Sequence, residues 1–140
     1  MPDDDTDLNG GVLNNPRSTA MNKSYQELTE RISARLQPFR ADAPDVMKAF
    51  GGLAAAATRD GALSRKTKEL MALALGVAAH CDGCIGFHMQ TLVKLGVTRA
   101  EVDETLAIAV YMGGGPSLMY AADALAAFEE FSTASGMPSG

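Results

Sequence analysis

The chain has 140 residues, of which 46% are hydrophobic and 21% are charged, and its formal net charge is −5 at pH 7. This length suits one domain with a single core, and the composition is that of a folded globular protein rather than a disordered one. The acidic balance, without a cluster of lysine and arginine, argues against a nucleic-acid-binding surface.

The first 22 residues are rich in Asp, Asn, Gly and Pro and show no apolar periodicity. We expect a disordered arm over residues 1–22, a helical domain over 23–133 and a flexible tail over 134–140. The acidic start lacks the basic and apolar regions of a signal peptide, which favours a cytoplasmic location. The uncharged stretch from Thr105 to Ala122 is broken by glycines and Pro116, so we expect no membrane span.

Three amphipathic helices are predicted in the first half of the domain. Ser24 and Glu27 have the spacing of a capping box, and the helix that they open should end at Pro38. A second helix should open at Asp42-Ala43-Pro44, and a third should be capped by Ser64. The apolar positions of the three helices are Leu28, Ile32 and Leu36; Val46, Met47, Phe50 and Leu53; and Leu70, Met71, Leu73, Ala74, Leu75 and Val77.

Three more helices are predicted in the second half. The fourth should start near Cys81 and end at Gly96, a residue type that commonly terminates helices. The fifth should follow Thr98 and Glu101, again in the spacing of a capping box, and the sixth should begin at Pro116. No segment alternates with the period of two that marks a strand, so the sequence predicts an all-α domain of about six helices.

The segment HCDGCIGFH, residues 80–88, contains both cysteines and both histidines of the chain. On a helix that begins near Cys81, the residues Cys81, Cys84 and His88 fall at i, i+3 and i+7, along one stripe. A cysteine in the first turn faces unpaired N–H groups and the positive end of the helix dipole, which favours the thiolate needed for redox chemistry. The alternative is a zinc site with the same three residues as ligands, although structural zinc usually draws its ligands from two separated segments.

The spacing of these residues resembles that of the AhpD-like alkylhydroperoxidases of the carboxymuconolactone decarboxylase superfamily. Their pattern is a glutamate, eleven residues, CxxC, three residues and a histidine, and here it reads Glu69, Cys81-Asp82-Gly83-Cys84 and His88. The resemblance extends through Leu95-Gly96-Val97-Thr98 and YMGGGPSLMYAADAL, and so covers roughly residues 25 to 131.

The resemblance implies an all-α domain with the CxxC motif at a helix N-terminus, whose cysteines cycle between dithiol and disulfide while a hydroperoxide is reduced. Cys84 would attack the peroxide, Cys81 would resolve the sulfenic acid, and Glu69 and His88 would relay protons. No bound cofactor is implied; the electrons would come from a dithiol cosubstrate, either a lipoyl-bearing protein or one of the thioredoxin type. The resemblance also implies a homo-oligomer, a trimer or a hexamer.

The chain departs from the best-studied members, which carry a further histidine between the two cysteines where this sequence has Asp82-Gly83. His80 is a candidate substitute for that imidazole. Asp82 would disfavour a neighbouring thiolate by charge repulsion, and it would also suit the start of a helix. Two alternatives remain open. One is a decarboxylase of the same superfamily, whose founding members generally lack the CxxC pair, and the other is a non-enzymatic, redox- or metal-responsive oligomeric module.

Overall fold

The structure is a computed structural model that describes residues 23–137, and this part of the chain contains seven helices and no strand. The helices are α1 (Tyr25–Arg35), α2 (Gln37–Asp42), α3 (Pro44–Thr58), α4 (Arg65–Ala78), α5 (Asp82–Lys94), α6 (Arg99–Gly113) and α7 (Gly115–Ala134). The predicted all-α fold is therefore confirmed. The short helix α2 was not predicted, because Pro38 lies in the first turn of a new helix, where its missing N–H costs nothing.

Helices α4 and α7 contact each other and both α5 and α6 around the core, and α1 lies across α5 and α7. Each of the four central helices buries one apolar stripe, as the helical spacing predicts. The fully or nearly fully buried side chains of this core include Leu73, Val77, Ile85, Met89, Leu92, Val102, Leu106, Ala124 and Phe128.

Several helix ends lie where the sequence predicts them. The Ser64 side chain accepts a hydrogen bond from the backbone N–H of Thr67 and so caps α4. Thr98 and Glu101 form both hydrogen bonds of a capping box at the start of α6. Gly96 ends the segment after α5 with φ of 76°, a conformation that glycine adopts without steric cost.

The predicted capping box at Ser24 is only half formed. Ser24 accepts from the backbone N–H of Glu27, but the carboxylate that serves the first turn of α1 comes from Glu130 on α7. Glu130 accepts from the Ser24 hydroxyl at 2.6 Å and from the backbone N–H groups of Tyr25 and Gln26 at 2.9 and 3.0 Å. A tertiary contact thus replaces the local one, and it ties α1 to α7.

Helix α3 also differs from the sequence prediction. The residue at its N-cap is Ala43, without a side-chain cap, whereas Asp42 ends α2. None of the residues of α3 is buried, although Val46, Phe50 and Leu53 repeat at helical spacing. Their amphipathic pattern is therefore not matched by burial within this chain.

No helix within residues 23–137 is long and apolar enough to cross a membrane. The expected arm over residues 1–22 lies outside the described residues, as do residues 138–140 of the expected tail, so the division at residues 22 and 133 stays a prediction. Helix α7 continues to Ala134, and Met137 packs against the core.

The contact between Glu130 and α1 should contribute to the free energy of unfolding in a pH-dependent way. Burial raises the pKa of Glu130, but its hydrogen bonds with Ser24, Tyr25 and Gln26 outweigh this effect and leave the pKa below the ordinary value of 4.5. Glu130→Gln is expected to lower the free energy of unfolding at pH 7 by about 1–2 kcal/mol, measured by urea denaturation, because charged acceptors make stronger hydrogen bonds.

This contribution is present in full above the unfolded-state pKa and is lost as the pH falls through the lowered pKa of the folded protein. Wild type and variant should therefore converge in strong acid, where Glu130 is protonated. The control is Glu129→Gln, whose side chain is 63% exposed and lies near Arg99. Equal decreases in the free energy of unfolding of the two variants would contradict a specific role of the Glu130 contact.

Candidate active site

The CxxC motif forms the start of α5. Cys81 is the N-cap residue, and its Sγ accepts a hydrogen bond from the backbone N–H of Cys84 at 3.2 Å. The two cysteines form a disulfide, and their Cα atoms are 5.2 Å apart. Both residues are partly exposed.

A histidine and a glutamate lie beside this pair. His88 Nδ1 is 2.7 Å from Glu69 Oε2, which joins α5 to α4. Glu69 is buried, with 5% of its surface exposed, whereas the His88 side chain is 34% exposed. The contact at Nδ1 fixes the orientation of the imidazole and leaves Nε2 as the other ring nitrogen for proton transfer.

Helices α4 and α5 meet at a glycine. A Cβ atom on Gly76 would lie 3.0 Å from the Cβ of Cys84, closer than nearly all real contacts between such atoms. Gly76 follows Glu69 by seven residues and so lies on the same face of α4. The glycine therefore lets α5 approach far enough for His88 to reach Glu69.

The turn between the two helices also fixes the motif. The backbone N–H of Cys81 donates to the carbonyl of Gly76, and that of His80 donates to the carbonyl of Val77, which is the hydrogen-bond pattern of a Schellman motif. His80 occupies the left-handed position with φ of 54°, where glycine is usual. Its ring stacks on Tyr120 at a centroid distance of 4.7 Å. The structure thus assigns His80 a place in the turn, and its catalytic role stays a prediction.

A second polar cluster surrounds Asp82, the residue between the cysteines. Lys23 Nζ lies 3.2 Å from an oxygen of Asp82 and 3.3 Å from one of Asp123, and the Tyr25 hydroxyl donates to Asp82 at 3.1 Å. Burial, then the charges of Asp123 and Asp82, raise the pKa of Tyr25, which keeps the phenol protonated as a donor. The negative charge beside the cysteines is therefore compensated by a cation and a hydroxyl from the first residues of the domain.

Helix α1 packs against the start of α5, next to the CxxC motif. A Cβ atom on Gly83 would lie 3.0 Å from Cδ1 of Ile32, and one on Gly86 would lie 2.8 Å from Cγ2 of Thr29. A side chain at position 83 would therefore contact Ile32 of α1 closely. The sequence analysis did not identify Lys23, Tyr25, Gly76 and Ile32 as site residues, because each acts through a contact between helices. Only Gly76 could have been found, since its seven-residue interval from Glu69 places both residues on one face of a helix.

The zinc alternative needs at least three ligands in one place. Within residues 23–137, no three side chains of His, Cys, Asp and Glu are grouped so as to hold a metal ion. With Cys81 and Cys84 joined as a disulfide, neither offers a thiolate to a metal. The arrangement suits thiol and proton chemistry better, since it combines a cysteine pair, an imidazole one turn further along α5 and a buried carboxylate.

Gly76→Ala tests the close approach of the two helices. The new methyl group is expected to push α4 from α5 and to destabilise the oxidised protein by about 1–3 kcal/mol in thermal or urea denaturation. The matched control is Gly52→Ala in α3, where no atom lies within 4 Å of the added Cβ. That variant should be stabilised by about 0.5–1 kcal/mol from helix propensity. Similar effects of both substitutions would contradict the packing argument.

The charges of the cluster around Asp82 should affect the reactivity of the two thiols in the reduced protein. Lys23→Met leaves the Asp82 carboxylate uncompensated, so iodoacetamide should alkylate the cysteines more slowly at a given pH; Asp82→Asn should have the opposite effect. Because the Lys23 side chain is 51% exposed, each shift along the pH profile should stay below about one unit. Lys94→Met, on the last turn of α5, is the control and should leave the profile unchanged. If the pH profiles of alkylation coincide for all variants, Lys23 does not screen the charge of Asp82.

The known proteins that this chain resembles indicate one family. A crystal structure of a carboxymuconolactone decarboxylase family protein from Legionella pneumophila superposes with a TM-score of 0.76 and 63% sequence identity, covering 77% of this chain and 96% of that one. A Thermotoga maritima protein of the same family, for which a role in the antioxidative response has been suggested, gives a TM-score of 0.64 at 28% identity, covering 84% and 99% of the two chains.

An uncharacterized protein of Cupriavidus necator is 48% identical over 86 residues, 61% of this chain and 76% of that protein. An uncharacterized protein encoded in the cox locus of Paracoccus denitrificans is 30% identical over 100 residues, 71% of this chain and 90% of that protein. The model of the carboxymuconolactone decarboxylase family matches residues 44–127, which is more than half of the chain. The protein therefore belongs to the carboxymuconolactone decarboxylase family.

Proposed function

We propose that the protein is a thiol-dependent antioxidant oxidoreductase, which reduces hydroperoxides through a dithiol/disulfide cycle of Cys81 and Cys84. The observation that carries this proposal is the pairing of a bonded CxxC at the start of α5 with a histidine that contacts a buried glutamate at 2.7 Å. The antioxidative role suggested for the Thermotoga maritima relative supports the same class of reaction.

In the first step, the reduced Cys84 acts as the nucleophile. His88 lies one helical turn further along α5, and its Nε2 accepts the thiol proton while Glu69 holds the Nδ1 proton and stabilises the imidazolium. The Cys84 thiolate attacks one oxygen of the hydroperoxide, and the O–O bond breaks. Cys84 becomes a sulfenic acid, and the alkoxide or hydroxide that leaves takes the proton from His88.

In the second step, Cys81 resolves the sulfenic acid. Its sulfur attacks the sulfur of Cys84, the S–O bond breaks, and the hydroxyl group leaves as water with the proton of the Cys81 thiol. In the disulfide form the Cα separation of 5.2 Å is within the range of ordinary disulfides. This rapid closure protects Cys84 from further oxidation.

In the third step, an external dithiol returns two electrons. One of its thiolates attacks the disulfide to form a mixed disulfide, and its second thiol displaces the protein thiolate, so that the reductant leaves oxidised. The partial exposure of the cysteines suits a lipoyl group or a thioredoxin-type protein as this cosubstrate. No bound cofactor is required by these steps.

The test is steady-state consumption of a hydroperoxide by reduced, chelator-treated protein supplied with dihydrolipoamide. Turnover is expected in the wild type and should be lost in Cys84→Ser, whereas Cys81→Ser should accumulate a sulfenic acid that dimedone traps. Glu69→Gln should lower turnover by about 10²–10⁴-fold, the usual range for general acid–base groups. The matched control is Glu104→Gln on the exposed face of α6, which should leave the rate unchanged.

Other outcomes would favour the alternatives. Catalysis of a lactone decarboxylation that survives the double Cys81→Ser and Cys84→Ser substitution would indicate a decarboxylase of the same family. A single stoichiometric oxidation that changes the assembly, without turnover, would indicate a redox-responsive module. Either result contradicts the proposed peroxidase cycle.

A further inference from the structure

The turn between α4 and α5 contains a backbone outlier directly before the first cysteine. His80 has φ of 54°, in the left-handed region that residues with a Cβ atom adopt only at a steric cost. In the part of the chain that the structure describes, it is the only residue other than glycine with a positive φ. Strained conformations of this kind cluster at functional sites, where the surrounding structure holds them.

The same type of turn occurs twice more in this chain, each time with glycine in the left-handed position. The residues are Gly96 after α5 and Gly136 after α7, with φ of 76° and 71°. Their backbone hydrogen bonds follow the pattern found at His80. All three positions are exposed, so burial does not explain the histidine. Local backbone geometry alone would favour glycine at position 80 as well.

An aromatic contact distinguishes position 80 from the two glycines. The imidazole of His80 stacks on the ring of Tyr120, with the ring centroids 4.7 Å apart and an angle of 9° between the planes. Tyr120 lies on α7 and packs against the core with part of its side chain. Aromatic rings attract each other in offset stacked arrangements, and a glycine cannot form one. The histidine thus ties the turn before α5 to α7.

Lys23 links the same part of α7 to the start of α5. Its Nζ lies 5.7 Å from the centroid of the Tyr120 ring and 3.3 Å from Oδ2 of Asp123, both on α7. It also lies 3.2 Å from Oδ2 of Asp82, the residue that follows Cys81. The first cysteine is therefore flanked by two residues that are linked to α7, one by direct stacking and one through Lys23.

We propose that His80 and Tyr120 are positioning residues for Cys81, and that their stack favours closure of the disulfide with Cys84. In the disulfide form, the bond between the cysteines itself restrains the turn. In the dithiol form this restraint is gone, and a residue other than glycine in the left-handed conformation favours relaxation of the turn. The stack opposes this relaxation, so the Cys81 thiol stays within reach of Cys84.

The stack and the disulfide favour each other to the same extent, because coupling between two equilibria is reciprocal. Loss of the stack should therefore weaken the disulfide relative to the dithiol. One aromatic pair corresponds to a factor of about 3–10 in an equilibrium constant. For a two-electron couple this factor equals about 15–30 mV. The inference rests on the dithiol/disulfide cycle of the proposed function, but not on a hydroperoxide as the oxidant.

The first test is the thiol–disulfide equilibrium of the full chain in graded ratios of reduced to oxidised glutathione. Two glutathione molecules are oxidised for each protein disulfide reduced, and the oxidised fraction is read by mass after acid quenching and alkylation. His80→Asn removes the ring but keeps a residue type that tolerates the left-handed region, so its constant for disulfide formation should fall about 3–10-fold. Tyr120→Leu should have the same effect, and Tyr120→Phe, which keeps the ring, should restore the constant. The control is Tyr111→Leu on α6, where the tyrosine is 81% exposed.

The equilibrium also separates positioning from a chemical role of the imidazole. A general acid or base changes the rate of thiol–disulfide exchange but not its equilibrium constant. Tyr120→Leu moreover leaves the imidazole of His80 in place. A shift of the constant in Tyr120→Leu therefore supports positioning through the stack, whereas a change confined to the exchange rate of His80→Asn would contradict it.

The second test follows overoxidation by hydrogen peroxide. Slower closure leaves the sulfenic acid of Cys84 open to a second peroxide for longer, so it reaches the sulfinic acid more often. His80→Asn should therefore accumulate about 3–10-fold more sulfinic acid than the wild type at the same peroxide concentration, measured on the Cys84 peptide by mass. Equal sulfinic acid in the two proteins would contradict the proposal.

The melting temperature of the oxidised protein is the readout for a merely structural role. His80→Asn should unfold near the wild-type temperature while its redox equilibrium shifts; a loss of stability without that shift would assign the stack to folding alone and overturn the inference. Coinciding redox constants for wild type, His80→Asn and Tyr120→Leu would also overturn it and leave the proposed function intact. A wild type without a reversible disulfide would refute both. Shifted constants without hydroperoxide turnover would support the positioning role and refute the peroxidase cycle alone.

Discussion

The close approach of α4 and α5 at Gly76 is the constraint on which the rest of the site depends. Because no side chain separates the two helices there, the backbone of α5 comes near enough for His88 to meet Glu69 at 2.7 Å. Glu69 is buried at that contact, so its carboxyl group is largely removed from water and has the imidazole as a hydrogen-bond partner. One glycine therefore determines both the packing of the helix pair and the position of the proton relay.

The turn that carries the cysteines is held by backbone bonds rather than by a flexible loop. A non-glycine residue in the left-handed conformation costs of order 1–3 kcal/mol, and His80 accepts this cost within a Schellman motif. Stacking on Tyr120 and the hydrogen bond from Cys81 to Gly76 offset the strain. The N-cap position of Cys81 is fixed in this way, and with it the place of the first sulfur at the positive end of α5.

Local signals in the sequence predicted much of the fold. The caps at Ser64 and Thr98 and the terminator Gly96 are short-range features, and each appears in the structure where the sequence places it. The partner of Ser24 could not be predicted, because Glu130 is more than a hundred residues away and competes with the nearby Glu27. Capping rules identify a helix start, but they do not show which carboxylate accepts its hydrogen bonds when a distant residue also reaches it.

In the candidate site, too, local features could be predicted from the sequence and contacts between helices could not. The spacing of Cys81, Cys84 and His88 along one helix follows from the sequence alone, and the resemblance adds Glu69. The contacts of Lys23 and Tyr25 with Asp82 do not follow from the sequence. These residues are 59 and 57 positions away and meet Asp82 only because α1 crosses α5. Gly83 lies at this crossing, where a Cβ atom would come within 3.0 Å of the Ile32 side chain.

Helix α3 shows a further limit of periodicity as a guide to structure. The spacing of Val46, Phe50 and Leu53 predicts that one face is buried, but periodicity does not identify the molecule that buries it. The core formed by α4 to α7 is complete without α3, and the four candidate redox groups all come from α4, α5 and the turn between them. Helix α3 therefore contributes neither to this core nor to the candidate redox site.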